Sequence, residues 1–267
     1  MKMERLSQSN LRQAIYCCQE RGAAGEQQLQ AFGQWIDEGR LYGQVAREGP
    51  LVAGFVIYFP IERAPVEIEG QDLLAIQCMW VRPEMRGRGV GRGLIDQVCD
   101  DARRAGRKGI AMEGFTFPAE SASAAFMPRD YFVSLGFRQL DHHWNNALLF
   151  LPLAEGAEPP AYSTNVFAPP AGRERLRIDM LNCDKCVAGL LNTELVCRLL
   201  PLYADRVEVF EYDQNLRENV LLRGRHFGIF FDGQLELHGG PTTEEKVRGI
   251  FERHLAERRG RAAQDAG

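Results

Sequence analysis

Residues Arg82 to Gly93 read RPEMRGRGVGRG, with four arginines and four glycines in one short stretch. Such a segment is either a flexible basic tether for nucleic acid or a rigid turn whose backbone holds a phosphate. Its flanks separate the two. Before it, Leu73 to Val81 (LLAIQCMWV) is an almost unbroken apolar run, the pattern of a strand covered on both faces. After it, Leu94, Ile95, Val98, Cys99 and Ala102 share one face of a helix. A turn from a central strand into a helix presents successive backbone N–H groups at the helix amino terminus, where the dipole also favours an anion. Glycine removes the Cβ that would keep the backbone away from a phosphate. The side chains of Arg86 and Arg88 can add charge-assisted contacts to the same oxygens. A disordered Arg-Gly tether would not run at once into a clean amphipathic helix, so the stretch reads as a phosphate cradle.

Composition sets the frame around it. Acidic residues outnumber basic ones, 36 to 32, for a net charge of -4. This gives no global attraction for nucleic acid or an anionic membrane, and neither is expected as a partner. The 267 residues exceed one ordinary domain, so two are expected. No apolar run is read as approaching the roughly 18 to 20 residues of a membrane span, and MKMERLSQSN lacks the apolar core of a signal peptide. The expectation is a soluble cytoplasmic protein with its seven cysteines in a reducing compartment. Among them Cys17, Cys18, Cys78, Cys99 and Cys197 have apolar neighbours and read as core. The segment 154–173, rich in Pro, Ala, Gly and Ser, reads as a linker between a first domain (1–153) and a second (174–257), and 258–267 as a flexible tail.

The order of elements in the first domain is a strand, two helices, a hairpin (LYGQVARE and LVAGFVIYF around Gly49-Pro50), the central strand, the glycine turn and its helix. The strand IAMEGF, a short helix at RDYFVSL and two closing strands follow. This arrangement resembles the GNAT N-acetyltransferases, whose loop has the form Arg/Gln-x-x-Gly-x-Gly/Ala. Arg86, Gly89 and Gly91 fall on its fixed positions, and FVSLGFRQL resembles the family's helix-to-strand turn. The resemblance implies an α/β (α+β) fold with a mixed central sheet flanked by helices. It also implies acetyl-CoA, or another short acyl-CoA, as cosubstrate and a small-molecule amine as acceptor. Residues Arg86, Gly87, Arg88, Gly89, Val90 and Gly91 would hold the phosphates. The strand before the loop would splay from its neighbour, leaving the main chain near Met79, Trp80 and Val81 beside the pantetheine and thioester.

The amine must be neutral when it attacks, so a carboxylate is expected as proton acceptor. Glu113 on the following strand is the first candidate; the alternative is a solvated strand glutamate. The family's tyrosine position is Phe132 here, and Tyr131 beside it is turned by about 100° on a helix. Tyr131 is therefore a candidate proton donor or a packing residue. Glu67 and Glu69, in an acidic loop with Glu62 and Asp72, either attract a cationic amine or are simply solvated. Phe115, with Phe117 and Trp80, either walls the acceptor site or belongs to the core.

The second domain carries Cys183-Asp184-Lys185-Cys186 between a strand and a helix. A thiol at a helix amino terminus beside a lysine is expected to have a lowered pKa and to exchange disulfides or bind a soft metal. The βαβαββα order around it resembles the thioredoxin-like domains, although Arg225 and His226 stand where those carry a cis-proline. An acetyltransferase followed by such a domain resembles the YoaP-like acetyltransferases. The rival classes are a sensor that binds acyl-CoA or metal without turnover, and a redox protein centred on Cys183 and Cys186.

Overall fold

The computed structural model describes residues 1–15, 22–116, 126–143, 145–172 and 174–265. Of these, one compact unit holds 1–15, 29–64 and 68–163, and the other holds 22–28, 65–67 and 164 onward. In the first, the elements are β1 (Lys2–Arg5), α1 (Gln8–Ala14), α2 (Gly22–Asp37, from Leu29), β2 (Tyr42–Glu48), β3 (Leu51–Pro60), β4 (Ile68–Glu69) and β5 (Leu73–Val81). They continue with α3 (Val90–Arg104), β6 (Gly109–Phe115), α4 (Arg129–Ser134), β7 (Arg138–His143), β8 (Asn146–Pro152) and β9 (Ala161–Tyr162). Seven strands form one sheet in the order β1-β2-β3-β5-β6-β8-β7, and β4 pairs with β9 apart from it.

The sheet is antiparallel except between β5 and β6, which are parallel. A parallel pair needs a crossover, and α3 supplies it. One face of α3 (Leu94, Ile95, Val98) packs with Val56, Ile76, Met112 and Phe132 in the main core. On its flank the carboxylate of Asp101 accepts bonds from Gln44 Nε2 at 2.7 Å, from Tyr58 and from Arg104. These hydrogen bonds fix a buried polar group that would otherwise be costly, and they tie the helix to β2 and β3. The mixed sheet flanked by helices is the fold expected from the sequence.

The second unit contains β10 (Leu176–Asn182), α5 (Val187–Leu199), β11 (Val207–Asp213), α6 (Arg217–Arg223), β12 (Gly228–Phe231), β13 (Gln234–Leu237) and α7 (Glu244–Asp265). Its sheet order is β11-β10-β12-β13, with β10 and β11 parallel and the other pairs antiparallel. The hairpin turns at Asp232 (φ 45°) and Gly233 (φ 82°), the two positive-φ positions that a type I′ turn requires. Leu176, Ile178, Met180, Val196, Phe231 and Phe251 form its core.

Several expectations need correction. The stretch Val187–Arg206 does reach the length and apolar character of a membrane span. Its Leu190, Leu195, Val196, Leu199 and Tyr203 are buried in this unit, while Cys197 and Leu202 are exposed. Helix α7 runs to Asp265 rather than fraying near 257, and Arg258 Nη1 donates to Gly172 O (3.1 Å) and Asp232 Oδ2 (2.6 Å). The stretch read as a linker contains β9 and packed side chains, among them Phe167 against the rings of Tyr212 and Phe230. Cys99 is buried, Cys78 half-buried and Cys197 exposed, the last against expectation; Cys17 and Cys18 lie outside the described residues.

Candidate active site

Strand β5 carries one residue more than its partner β3. Ile57 pairs with Cys78 and Tyr58 with Ile76, leaving Gln77 as a bulge. On the other side, β5 pairs with β6 only from Leu73↔Gly109 to Ile76↔Met112. Beyond that point β5 keeps its ladder to β3 as far as Val81, while β6 keeps its ladder to β8 as far as Phe115↔Asn146. The two strands separate immediately after the bulge. At the far end, Phe115 N donates to Met127 O at 2.9 Å, and Met127 has an unusual φ of 40° for a residue with a side chain.

The stretch Cys78 to Val81 thus has a main-chain edge directed toward β6 without a ladder. Met79 is buried in the core, Trp80 and Val81 are half-buried, and Val81 leads into the glycine turn. Arg82 holds this end to β3, its N donating to Ala53 O (2.9 Å) and its Nε to Val52 O (2.7 Å). After a 3₁₀ turn at Pro83–Met85, Gly87 (φ 73°) and Gly89 (φ 79°) take left-handed conformations. A Cβ at either would touch nothing within 4 Å, so the backbone conformation, and not crowding, demands glycine there. Gly89 caps α3, and its carbonyl accepts from Gly93 N at 3.0 Å. The N–H groups of Val90, Gly91 and Arg92 have no acceptor within the helix, the arrangement that receives an anion.

Gly91 is constrained differently. A Cβ there would collide with the hydroxyl of Tyr131 and stand 3.1 Å from its Cζ. The Tyr131 ring therefore lies over the first turn of α3, half-buried, and burial raises the pKa of its hydroxyl. Phe132 is fully buried in the core, edge-on to Phe137 at 5.8 Å. Of the arginines, Arg88 is engaged by both oxygens of Glu48 (2.5 and 3.1 Å), whereas the exposed Arg86 bonds back to Val81 O at 3.3 Å. An exposed pair such as Arg88–Glu48 contributes little and can exchange for another anion.

Glu113 lies one residue past the last β5–β6 pair, half-buried. Its Oε1 accepts from Asn146 Nδ2 at 3.0 Å and from the Tyr162 hydroxyl at 3.1 Å. Nothing in the sequence singled out these partners: Asn146 follows His143, Trp144 and Asn145 at a strand start, and Tyr162 stands in the stretch read as a linker. Phe115 packs on the rim of the core and 5.4 Å from Phe126, the core alternative of the two offered by the sequence; Phe117 is outside the described residues. Glu69 is exposed on β4. Glu67 does not accompany it. Its Oε1 is 2.8 Å from His226 Nδ1 and accepts from His226 N at 2.8 Å, within the second unit. Burial opposes its ionisation, but the charge and hydrogen bonds of His226 outweigh this and hold its carboxyl well below the usual range. A carboxylate so committed is not an attractor for a substrate amine.

In the second unit Cys183 does not match the expected reactivity. Cys183 is buried, and burial pushes its thiol up to about 12 although Lys185 and a backbone N–H act in the opposite direction. Cys186, the N-cap residue of α5, is half-buried. Lys185 is also buried, with Gln28 Nε2 donating to its carbonyl at 3.0 Å. Among the described residues no group of three or more His, Cys, Asp or Glu side chains is placed to hold a metal, so the soft-metal expectation has no support.

The site therefore combines a mixed sheet that opens beside a glycine turn at a helix amino terminus with a hydrogen-bonded carboxylate next to the opening. Residues 10–129 match the family model for acetyltransferases of the GNAT family. Among solved structures, the chain is similar to a PaiA N-acetyltransferase from Thermoplasma acidophilum in complex with coenzyme A. That match has 11% identity and a TM-score of 0.41 and covers 57% of this chain and 99% of the other. An aminoglycoside 6'-N-acetyltransferase complexed with coenzyme A is similar at 9% identity and a TM-score of 0.45, over 59% of this chain and 100% of the other. A GNAT-family acetyltransferase from Staphylococcus aureus is similar at 14% identity and a TM-score of 0.41, over 57% and 100%. No curated protein matches the chain in sequence.

Proposed function

We propose that the chain transfers an acetyl group from acetyl-CoA to a small amine, and that its second, thioredoxin-like unit assists in recognising the acceptor. The observation that carries the reading is the separation of β5 from β6 immediately before a positive-φ glycine turn that caps α3. In this reading the backbone from Gly87 to Gly91 holds the phosphates of the cosubstrate, with Arg86 and an exchangeable Arg88 adding charge. Acetyl-CoA supplies the activated acyl group. The main chain of Cys78 to Val81 polarises the carbonyl under attack, since fixed dipoles aimed at developing charge contribute strongly to acyl transfer. Glu113 accepts the amine's proton, directly or through water. Tyr131, seated on Gly91, is better suited to shaping the loop than to protonating the departing thiol. With Phe132 in the core, that proton comes from solvent.

For the second unit, the strand order β11-β10-β12-β13 with a parallel first pair supports the thioredoxin-like reading. The whole arrangement resembles the YoaP-like acetyltransferases. Cys186, half-buried at the start of α5, is the thiol of the pair that a ligand reaches; Cys183 is not.

Calorimetry with acetyl-CoA and a CoA-thiol release assay test the reading, with protein alone as control for its own thiols. Wild type is expected to bind and Gly89→Glu to lose binding, because the new side chain disfavours the left-handed φ and brings a negative charge to the anion site. Absence of binding by wild type would overturn the acyltransferase reading.

A further inference from the structure

The acetyltransferase sheet ends with β8 at Pro152, and the family match ends at residue 129. The chain nevertheless returns to this unit. Ala161 and Tyr162 form β9 against β4, with Ile68↔Tyr162 and Glu69↔Ala161 as partners. Two residues a side do not hold a sheet by themselves. Here the return is seated by Pro160, which is buried; a Cβ added to Gly70 would stand 3.4 Å from it and closer still to Ile61 and Leu73. The anchor brings the Tyr162 hydroxyl to 3.1 Å from Glu113 Oε1. From the other side, Asn146 Nδ2 on β8 reaches the same oxygen at 3.0 Å.

A glutamate on a strand has three rotatable bonds between backbone and carboxylate, and a single donor leaves much of that freedom. Two donors from separate elements converging on one oxygen fix the position of the group and direct its second oxygen. Both partners donate, so they hold the side chain in its accepting form, the form in which it takes up a proton. Placement within about half an ångström is what a proton acceptor needs if it is to act in the transition state.

We propose that Tyr162 is a positioning residue for Glu113, so that the stretch following the acetyltransferase sheet completes that domain's active site. The proposal rests on the reading of Glu113 as the proton acceptor. Tyr162 itself need not touch the amine or the thioester.

The test uses the full chain with Tyr162→Phe, Glu113→Gln and the double variant, assayed with acetyl-CoA and a panel of primary alkylamines. Tyr162→Phe is expected to lower kcat about tenfold, a part of the roughly 10²- to 10⁴-fold that a positioned base supplies. The Kd for acetyl-CoA and the Tm are expected to stay at wild-type values. In the Glu113→Gln background the same substitution should add nothing, because its effect passes through the carboxylate. Crystal structures of wild type and Tyr162→Phe should show the Glu113 side chain leaving its rotamer in the variant. Wild-type kcat in Tyr162→Phe, or an undiminished further loss in the double variant, overturns the proposal. An unmoved Glu113 in the crystal overturns it as well. If wild type binds no acetyl-CoA, the transferase reading fails, and the crystal comparison alone decides whether Tyr162 holds Glu113.

Discussion

Gly91 and Tyr131 constrain each other across forty residues of sequence. The glycine was legible as part of a strand-to-helix turn, but the ring resting on it was not, because a contact between distant positions leaves no local pattern. The one-residue offset between Tyr131 and Phe132 was legible, since a helix turns neighbours apart by a fixed angle. Gly91→Ala is expected to destabilise the protein by about 1–3 kcal/mol through overpacking, with Tyr131→Phe recovering part of it. Thermal unfolding of the two single variants and the double variant would show this as a non-additive pair. The cysteines give a second prediction at this scale. At pH 8 in the native chain, iodoacetamide should label Cys186 well before Cys183, because alkylation requires a thiolate and Cys183 remains a buried thiol up to about 12. Peptide mass spectrometry reads the order, and faster labelling of Cys183 would contradict the burial argument. The spacing of the motif announced both thiols but could not say which one the fold would bury.

The elements with long apolar patterns fell where the sequence placed them: β5 from its unbroken run, α3 from its one-sided stripe and the β12–β13 hairpin from Asp232-Gly233. Strands β4 and β9 did not, because two residues are too few to display a period. The end of α7 was missed for a different reason. Past residue 257 the apolar stripe stops, yet Arg, Ala and Gln are good helix formers, and the helix carries on through them. Arg258 secures this extension through the mostly buried Asp232, whose carboxyl is held low: burial opposes ionisation, but bonds from Arg177 N, Arg258 and Gly172 N outweigh it. Arg258→Ala is expected to cost about 2 kcal/mol, the range for a hydrogen bond to a charged group. Hydrogen exchange should then quicken in the last turns of α7 and at the β12–β13 turn, and unchanged protection there would count against the anchor.

At the scale of the whole chain, the two-part organisation and the character of each sheet were legible, but the membership of short segments was not. Residues 65–67 read as part of an acidic surface loop, yet Glu67 is paired to His226 in the second unit. That pairing, with His238 nearby, makes the unit's stability depend on pH. Burial, with His226 and Arg225 adding to it, lowers the folded pKa of His238 from 6.5 to about 4. The unfolded chain therefore binds the proton first, and stability falls as pH drops through that window. Glu67, with a folded pKa below its ordinary 4.5, stabilises fully above that value and loses its contribution below it. Hydrogen exchange of β10 and β12 amides should accelerate between pH 6.5 and 4, less so in His238→Phe, and again in more acidic solution. Rates that track only the intrinsic chemistry of exchange would refute the linkage. The spare residue in β5 has a consequence of another kind. Ile76 and Met79, three positions apart, both enter the same core because Gln77 intervenes. Deleting Gln77 would leave each on its present side and permit an unbroken ladder from β3 across to β6. A chain one residue shorter should melt later and, on the proposed function, bind no acetyl-CoA, so the irregularity in this sheet would exchange thermal resistance for chemistry.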